Sequence, residues 1–321
     1  MNRKLIAGAV VVGVAAGFVG VMSNASGSKT IGVTMSSFDD NFLTVLRNGM
    51  SDYAGGLDGV ELQIEDADDD VGKQLNQIEN FVAAGVDAII VNAVDTSATE
   101  AITEKAAAAG IPLVYVNREP INIDTLPDNQ AFVASNEIDS GTLQAKEVCR
   151  LLKEQGLTDA SILLMQGELS NQAAVMWTKD VHDVAATPEC NFMHVVEEQT
   201  GNWQRQQGAD LMTNWITAGI EYDAVVANND EMAVGAIQAL KAAGVPMDKV
   251  VVAGVDATQD ALTAMQSGDL DVTVFQDAAG QGSGALDAAL ALANGDPVEQ
   301  KVYIPFQLVT PANIQDYLTV N

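Results

Sequence analysis

Amide, carboxylate and aromatic side chains recur directly after short β-branched runs in this 321-residue chain. Ser36-Ser37-Phe38-Asp39-Asp40-Asn41-Phe42 follows the first run, Asn117-Arg118-Glu119 a later one, and Ser135-Asn136-Glu137 the next. Farther along come Gln166-Gly167-Glu168, Trp203, Asn228-Asn229-Asp230-Glu231, Asp256 and Gln276. No reactive His or Cys stands among them, so the set suits gripping a molecule rather than breaking a bond in it. A neutral polyhydroxylated ring matches this chemistry. Its hydroxyls both donate and accept, and carboxylates, amides and one arginine can hold several at once. Its C–H faces are apolar and pack on aromatic rings, with Phe42 and Trp203 as candidate opposing walls. Enclosure makes a missing hydroxyl costly, because a buried site group is then left unpaired.

The elements that must position these residues read as repeated β–α units. Strand-like runs fall at 30–34, 60–64, 88–91, 113–116 and 131–134, and a second series at 161–165, 193–197, 224–227, 250–255 and 272–275. Between them Phe42, Leu46, Met50 and Tyr53 keep helical spacing, as do Leu75, Ile78 and Val82, and a further helical stretch covers 236–243. Strands alternating with helices predict parallel sheets covered on both faces. Two such series predict two doubly wound, Rossmann-like α/β lobes, whose ligands bind at the carboxyl ends of the strands. The polar segments above stand at those ends.

The N-terminus reads as an export signal. Arg3 and Lys4 precede an apolar run over 5–22, and Ser23-Asn24-Ala25 supplies small residues for cleavage after Ala25. The run is of borderline length for a retained anchor, but it is rich in Gly and Ala and ends in that small-residue site. The expected product is a soluble periplasmic chain of about 295 residues, enough for roughly two domains. Lys plus Arg number 15 against 44 Asp plus Glu, a net charge of −29; losing Arg3 and Lys4 takes it to −31. Such acidity repels phosphate backbones and anionic lipid, which disfavours nucleic-acid binding. Hydrophobic residues at 48% are ample for a core, so disorder is excluded. Cys149 and Cys190 form an even pair in an oxidising compartment; a bridge and two partly buried thiols carry equal weight.

Plainer readings compete at several positions. Asp39 and Asp40 can cap the helix that begins near Asn41, and Asp230 can cap the helix after Asn229, leaving Asn229 as the contact. Trp177 is open between a helix-face core residue and a pocket wall, whereas Trp215, on the stripe with Leu211, reads as core. Gly280-Gln281-Gly282-Ser283-Gly284-Ala285 matches a loose dinucleotide pattern. The next strand, at 302–306, ends in Gln307 rather than an acidic ribose ligand, so a small-residue helix packed closely on a sheet is expected instead. In 66–72 a calcium-loop pattern fails because the Gly is one position late and Gln77 stands where a bidentate Glu belongs. His182 and His194 have no metal-ligand neighbours in sequence. No cofactor and no metal are expected.

Five motifs in order carry a resemblance: Ser37-Phe38-Asp39-Asp40-Asn41-Phe42, Val116-Asn117-Arg118-Glu119-Pro120, Asn228-Asn229-Asp230-Glu231-Met232-Ala233, Gly254-Val255-Asp256 and Val274-Phe275-Gln276. With them the chain resembles the periplasmic sugar-binding proteins of the ribose/galactose type, and in particular the rhizopine- and inositol-binding proteins. The resemblance implies a type I two-lobed fold with three crossings, near Ser135, Gln276 and Gln307. The expected division is a leader at 1–25, a first lobe from 28–135 plus 277–306, and a second from 136–276 plus 307–321.

Carried over by motif, the implied ligand contacts are Asp40, Phe42, Asn117, Arg118, Asn136, Trp203, Asn229, Asp256 and Gln276, and Phe38 and Trp177 complete the candidate set. Two departures stand out. Asn117 replaces the Asp usual in ribose binders, and Trp177 stands where the family commonly places a second ligand-binding arginine. The implied function is the substrate-binding component of an ABC importer. It would capture a monosaccharide or cyclic polyol by hinge closure, as a monomer, and pass it to a membrane permease without catalysis. A ligand-bearing partner of a chemoreceptor and a carbohydrate-acting enzyme are the alternatives. A LacI-type regulator would need an N-terminal helix-turn-helix where this chain has the signal sequence.

Overall fold

The computed structural model of the chain describes residues 28–319, so the leader expected at 1–25 lies outside the described residues. The chain runs β1 (Lys29–Met35), α1 (Asn41–Gly55), β2 (Val60–Asp66), α2 (Val71–Ala84), β3 (Ala88–Val91), α3 (Thr99–Ala109), β4 (Leu113–Val116) and β5 (Gln130–Ala134). A second series follows: α4 (Glu137–Glu154), β6 (Ala160–Gln166), α5 (Gln172–Ala185), β7 (Met193–Thr200), α6 (Arg205–Ala218), β8 (Ala224–Ala227), α7 (Asp230–Ala242) and β9 (Val251–Ala253). Then come α8 (Gln259–Gln266), β10 (Thr273–Phe275), α9 (Ala278–Ala293), β11 (Lys301–Tyr303) and β12 (Gln307–Val309).

Two sheets result. The first has the order β11-β5-β4-β3-β1-β2 and is parallel throughout. The second has the order β7-β6-β8-β9, also parallel, and bridges at Ala253–Val272 and Asp256–Phe275 set β10 beside β9. Every residue of β3, β4 and β8 is buried, as expected of parallel strands with helices on both faces. Separate apolar cores lie on the faces of each sheet, one holding Leu46, Met50 and Val114, another Met212, Trp215 and Leu240. The chain leaves the first sheet after β5, returns after β10 and crosses again between β11 and β12. In both sheets the order reverses beside the opening strand, at β1 between β2 and β3 and at β6 between β7 and β8. Such switch points leave a crevice outside the carboxyl ends of the strands.

Several local expectations are corrected. The strand placed at 302–306 ends at Tyr303, before Pro305. Gln307 instead opens β12, which pairs antiparallel with β10, so the sheets are not wholly parallel. Strand β9 covers only Val251–Ala253 of the 250–255 run. Tyr53 lies off the buried stripe of α1, which runs through Phe42, Leu43, Leu46, Met50 and Ala54; its hydroxyl donates to Asp287 at 2.8 Å. The small-residue start of α9 does pack closely, on the sheet and on α1 alike: a Cβ at Gly284 would stand 3.2 Å from Val133 of β5, and one at Gly282 would stand 2.6 Å from the Leu46 carbonyl oxygen. Cys149 and Cys190 are bonded as a disulfide. No helix of the described residues is long and apolar enough to cross a membrane.

Candidate ligand-binding site

Polar strand ends of both sheets meet around a shared cavity. It is lined by Asp40, Phe42 and Leu43 after β1, Asn117 and Arg118 after β4, Asn171, Ala173 and Trp177 after β6, Trp203 after β7, Asn229 after β8, Asp256 after β9 and Gln276 after β10. Nine of the eleven residues singled out from sequence are therefore brought together. Phe38 and Asn136 are not. The Phe38 ring lies under the Arg47 guanidinium, 3.9 Å from ring centre to Cζ, and Asn136 sits half-buried at the start of α4. Leu43, Asn171 and Ala173 were missed. Asn171 follows the same pattern as Asp40 and Asn229, a cap residue shortly after a strand, and that pattern was the available signal.

Three helices point their N-termini at the cavity. Asp40 accepts from Leu43 N at 2.8 Å and caps α1, Asn171 accepts from Ala173 N at 3.1 Å and caps α5, and Asn229 accepts from Met232 N at 3.0 Å and caps α7. The cap of α7 is thus Asn229 and not Asp230, which corrects the cap assignment, while Asn229 also lines the cavity. Asp230 is buried inside the first turn and accepts from Thr258 N, Thr258 Oγ1 and Thr273 Oγ1. Positive helix ends facing the cavity partly offset its carboxylates.

Arg118 is the arginine of the cavity wall and is only 5% exposed. Its Nη1 donates to the carbonyls of Ala93 and Val94, both at 3.0 Å, and its Nη2 lies 3.7 Å from Glu168 of the other sheet's loops. Its Nε bonds no protein acceptor. Asn117 is held by a relay in which Asn92 Nδ2 donates to it at 3.2 Å while its own Nδ2 donates to Gln281 at 3.3 Å. Gln281, from the declined glycine motif, is a support of the site. Trp203 owes its place to Gly167, since a Cβ there would lie 2.1 Å from the indole ring.

Non-glycine residues with positive φ concentrate here. Asn117 (φ 67°), Trp203 (φ 63°) and Asp256 (φ 116°) line the cavity; Asp68, Asp69 and Asn202 line a wider polar antechamber that shares Asp40, Arg118 and Trp203 with it. Among the described residues the remaining case is Ala257, next to Asp256. Such backbone persists only where surrounding structure enforces it, and it clusters at functional sites. The two halves touch across the crevice: Asn41 Nδ2 donates to Glu231 at 2.8 Å, and Thr96 N and Oγ1 donate to the Ser170 carbonyl at 3.1 and 3.0 Å.

Burial pushes the carboxyls up. Asp40 rises through desolvation despite its bond from Leu43 and the nearby Arg118, and Asp256 rises well above the carboxylate range through burial beside Asp230, Asp40 and Glu231. Burial carries Asp230 and Asp180 each up to about 7. An unfolded Asp titrates near 4, so the folded chain binds more protons between about pH 4 and pH 7 and loses stability as pH rises through that window. We expect melting temperature to fall by roughly 5–10 °C between pH 5 and pH 7.5, for a loss on the order of 3 kcal/mol. Calorimetry across that range checks it; a melting temperature that climbs would contradict the assigned protonation.

A family model described as periplasmic binding protein domain matches residues 31–297. The chain belongs to the periplasmic binding protein family. Among its relatives in that family, a Rhizobium meliloti protein named for rhizopine binding is 64% identical over 307 residues, spanning 96% of this chain and 97% of that one. A xylitol-binding protein of Mycolicibacterium smegmatis is 33% identical, spanning 96% and 84%. A solved periplasmic binding protein, the ABC transporter solute-binding protein of Bacillus halodurans with bound myo-inositol, superposes with a TM-score of 0.86. It is 43% identical and is covered over 100% of its length by 93% of this chain. The two-lobed parallel α/β architecture is that of the type I members of this family.

Proposed function

We propose that this chain captures a cyclic polyol of the inositol kind between its two lobes and delivers it to the membrane permease of an ABC importer. The observation that carries this reading is the composition of the cavity. Phe42, Trp177 and Trp203 alternate there with carboxylates, amides and Arg118. Those polar groups suit hydroxyls that give and accept hydrogen bonds, and the rings suit C–H faces. The relative with bound myo-inositol and the relative named for xylitol binding support the same chemistry.

In this reading the lobes are 28–135 plus 277–306 and 136–276 plus 307–321, and both supply contacts, four from the first and six from the second. Solute then favours the closed arrangement, and hinge closure follows from that difference in affinity without a chemical step. The ligand contacts are Asp40, Phe42, Asn117, Arg118, Asn171, Trp177, Trp203, Asn229, Asp256 and Gln276. The chain works in the periplasm as a monomer after cleavage behind Ala25. It returns its ligand unchanged.

Thermal shift across inositols, pentoses, hexoses and amino sugars is the test. A cognate polyol at 100 times its Kd stabilises by about 2.7 kcal/mol, or roughly 5–10 °C. Silence from every polyol alongside a response to amino acids or nucleosides would overturn the ligand class.

A further inference from the structure

Asn228 is fully buried, stands first after β8 and lies outside the cavity lining. Its backbone N–H donates to the Met165 carbonyl at 2.9 Å and continues the ladder between β6 and β8. The side chain carries that ladder one step further. Its Oδ1 accepts from the N–H of Gly167, the first residue after β6, at 3.0 Å, and from Thr178 Oγ1 of α5 at 3.3 Å. A backbone N–H can only donate, so this bond fixes which end of the amide faces Gly167. The first lobe holds the same arrangement. Asn92, also fully buried, stands first after β3, and its N–H donates to the Thr34 carbonyl at 2.9 Å. Its Oδ1 accepts from Ser36 N, first after β1, at 3.2 Å. Strands β1 and β6 are those at which the two sheets reverse their order. The chain diverges there, and an asparagine at the same register in each lobe supplies the last step of the ladder at the crevice.

In the second lobe that step carries an aromatic wall. Gly167 seats the indole of Trp203: a Cβ there would lie 2.1 Å from Cζ2, 2.2 Å from Cη2 and 2.3 Å from Cε2. The plane of the Gly167 backbone therefore sets where the ring rests. Asn229 holds Trp203 from the other side, its Nδ2 donating to the Trp203 carbonyl at 3.1 Å in a residue whose φ is 63°. Thr178, the second donor to Asn228, directly follows Trp177 in α5. The indoles of Trp177 and Trp203 stand edge to face, 5.8 Å apart at 76°, and both line the cavity. One oxygen atom thus joins the supports of both rings. Glycine has the freest backbone, so without that acceptor the Gly167 N–H loses its partner and the peptide turns to find another. Trp203 then moves with its seat.

We propose that Asn228 is a positioning residue, acting through Gly167 and Thr178 to set the indoles of Trp203 and Trp177 as one wall for the apolar face of a ring. That the wall meets a polyol rests on the reading above; that Asn228 sets the wall does not.

Two indoles this close couple, and the sign and size of their paired circular-dichroism band follow their mutual angle. The band is read in ligand-free protein and assigned by its loss in Trp177→Phe. Asn228→Leu keeps the volume without the acceptor. It is expected to lose most of the band and to weaken myo-inositol about tenfold in titration calorimetry. Asn228→Asp retains an acceptor oxygen in either protonation state, and should keep the band and an affinity within about threefold of wild type. A residue that acts through the wall costs little once the wall is gone. In a Trp203→Ala background, Asn228→Leu should therefore change the Kd by less than about twofold. Should Asn228→Leu not fold, Asn228→Ser, one bond shorter and small enough to admit water, carries the same expectations. An unchanged band, equal losses with Leu and Asp, or the full cost in the Trp203→Ala background would reduce Asn228 to a packing residue and overturn the proposal. Wild-type protein that ignores myo-inositol would count against the polyol reading, and the band comparison would still decide the positioning.

Discussion

Arg118→Met should raise the Kd for the cognate polyol by roughly 10³-fold, the largest effect expected of any single change in the cavity wall. The side chain has three duties at once. Its Nη1 ties down the carbonyls of Ala93 and Val94 beyond β3, its Nη2 faces Glu168 across the crevice, and the residue lines the cavity with its Nε in no protein hydrogen bond. Removing it unmakes a charged donor to the ligand and leaves Asp40, Glu168 and Asp69 without the cation that holds their carboxyls down. Truncating a buried charged partner of this kind costs about 3–5 kcal/mol. Arg118→Lys keeps the charge but loses the planar fork, so it should recover only a fraction of the affinity. Titration calorimetry on the three proteins measures this. A Met variant within tenfold of wild type would remove Arg118 from the contacts.

The largest effect on stability is expected from the disulfide. Replacing Cys149 and Cys190 together by Ala opens a loop of 41 residues and should cost about 4 kcal/mol, a fall in melting temperature of roughly 10 °C. The bond joins α4 to the segment between α5 and β7, inside a core that holds Val148, Leu152, Val181 and Leu164. It lies about 18 Å along α4 from Glu137, so ligand affinity should stay within about twofold. Scanning calorimetry and binding on the double variant check both halves. Unchanged melting would mean that the unfolded chain is already restrained without the bond, and lost binding would mean that the pair supports the site.

The site was legible to the extent that it follows a local rule. Asp40, Asn117, Arg118, Trp203, Asn229, Asp256 and Gln276 all stand directly after β-branched runs, where a doubly wound sheet presents its ligand face. Asn171 obeys the rule too, standing five residues past β6 as Asp40 stands five past β1, but Leu169 interrupts the polar segment that follows β6. Phe38 stood in the right segment and turned to Arg47 instead, a choice made by a neighbouring helix face that no spacing encodes. The cap of α7 passed from Asp230 to Asn229 for a similar reason. Either type can cap a helix, and the decision fell to Thr258 and Thr273, which meet Asp230 only after the sheet has formed.

Sequence alone therefore determined the two α/β series, the acidic balance, the strand ends where polar groups gather and the class of molecule they suit. Alternation and helical spacing encode which face of each element is buried, and that information is local. The tertiary structure decided what depends on residues far apart in the chain. It joined Cys149 to Cys190, set Gly282 against α1, folded Trp203 over Gly167 and brought Gly141 of α4 to the backbone of Trp177. Those outcomes follow from how two sheets and their helices pack at contact distance, where a single missing Cβ or one buried carboxyl chooses among arrangements that spacing leaves equal.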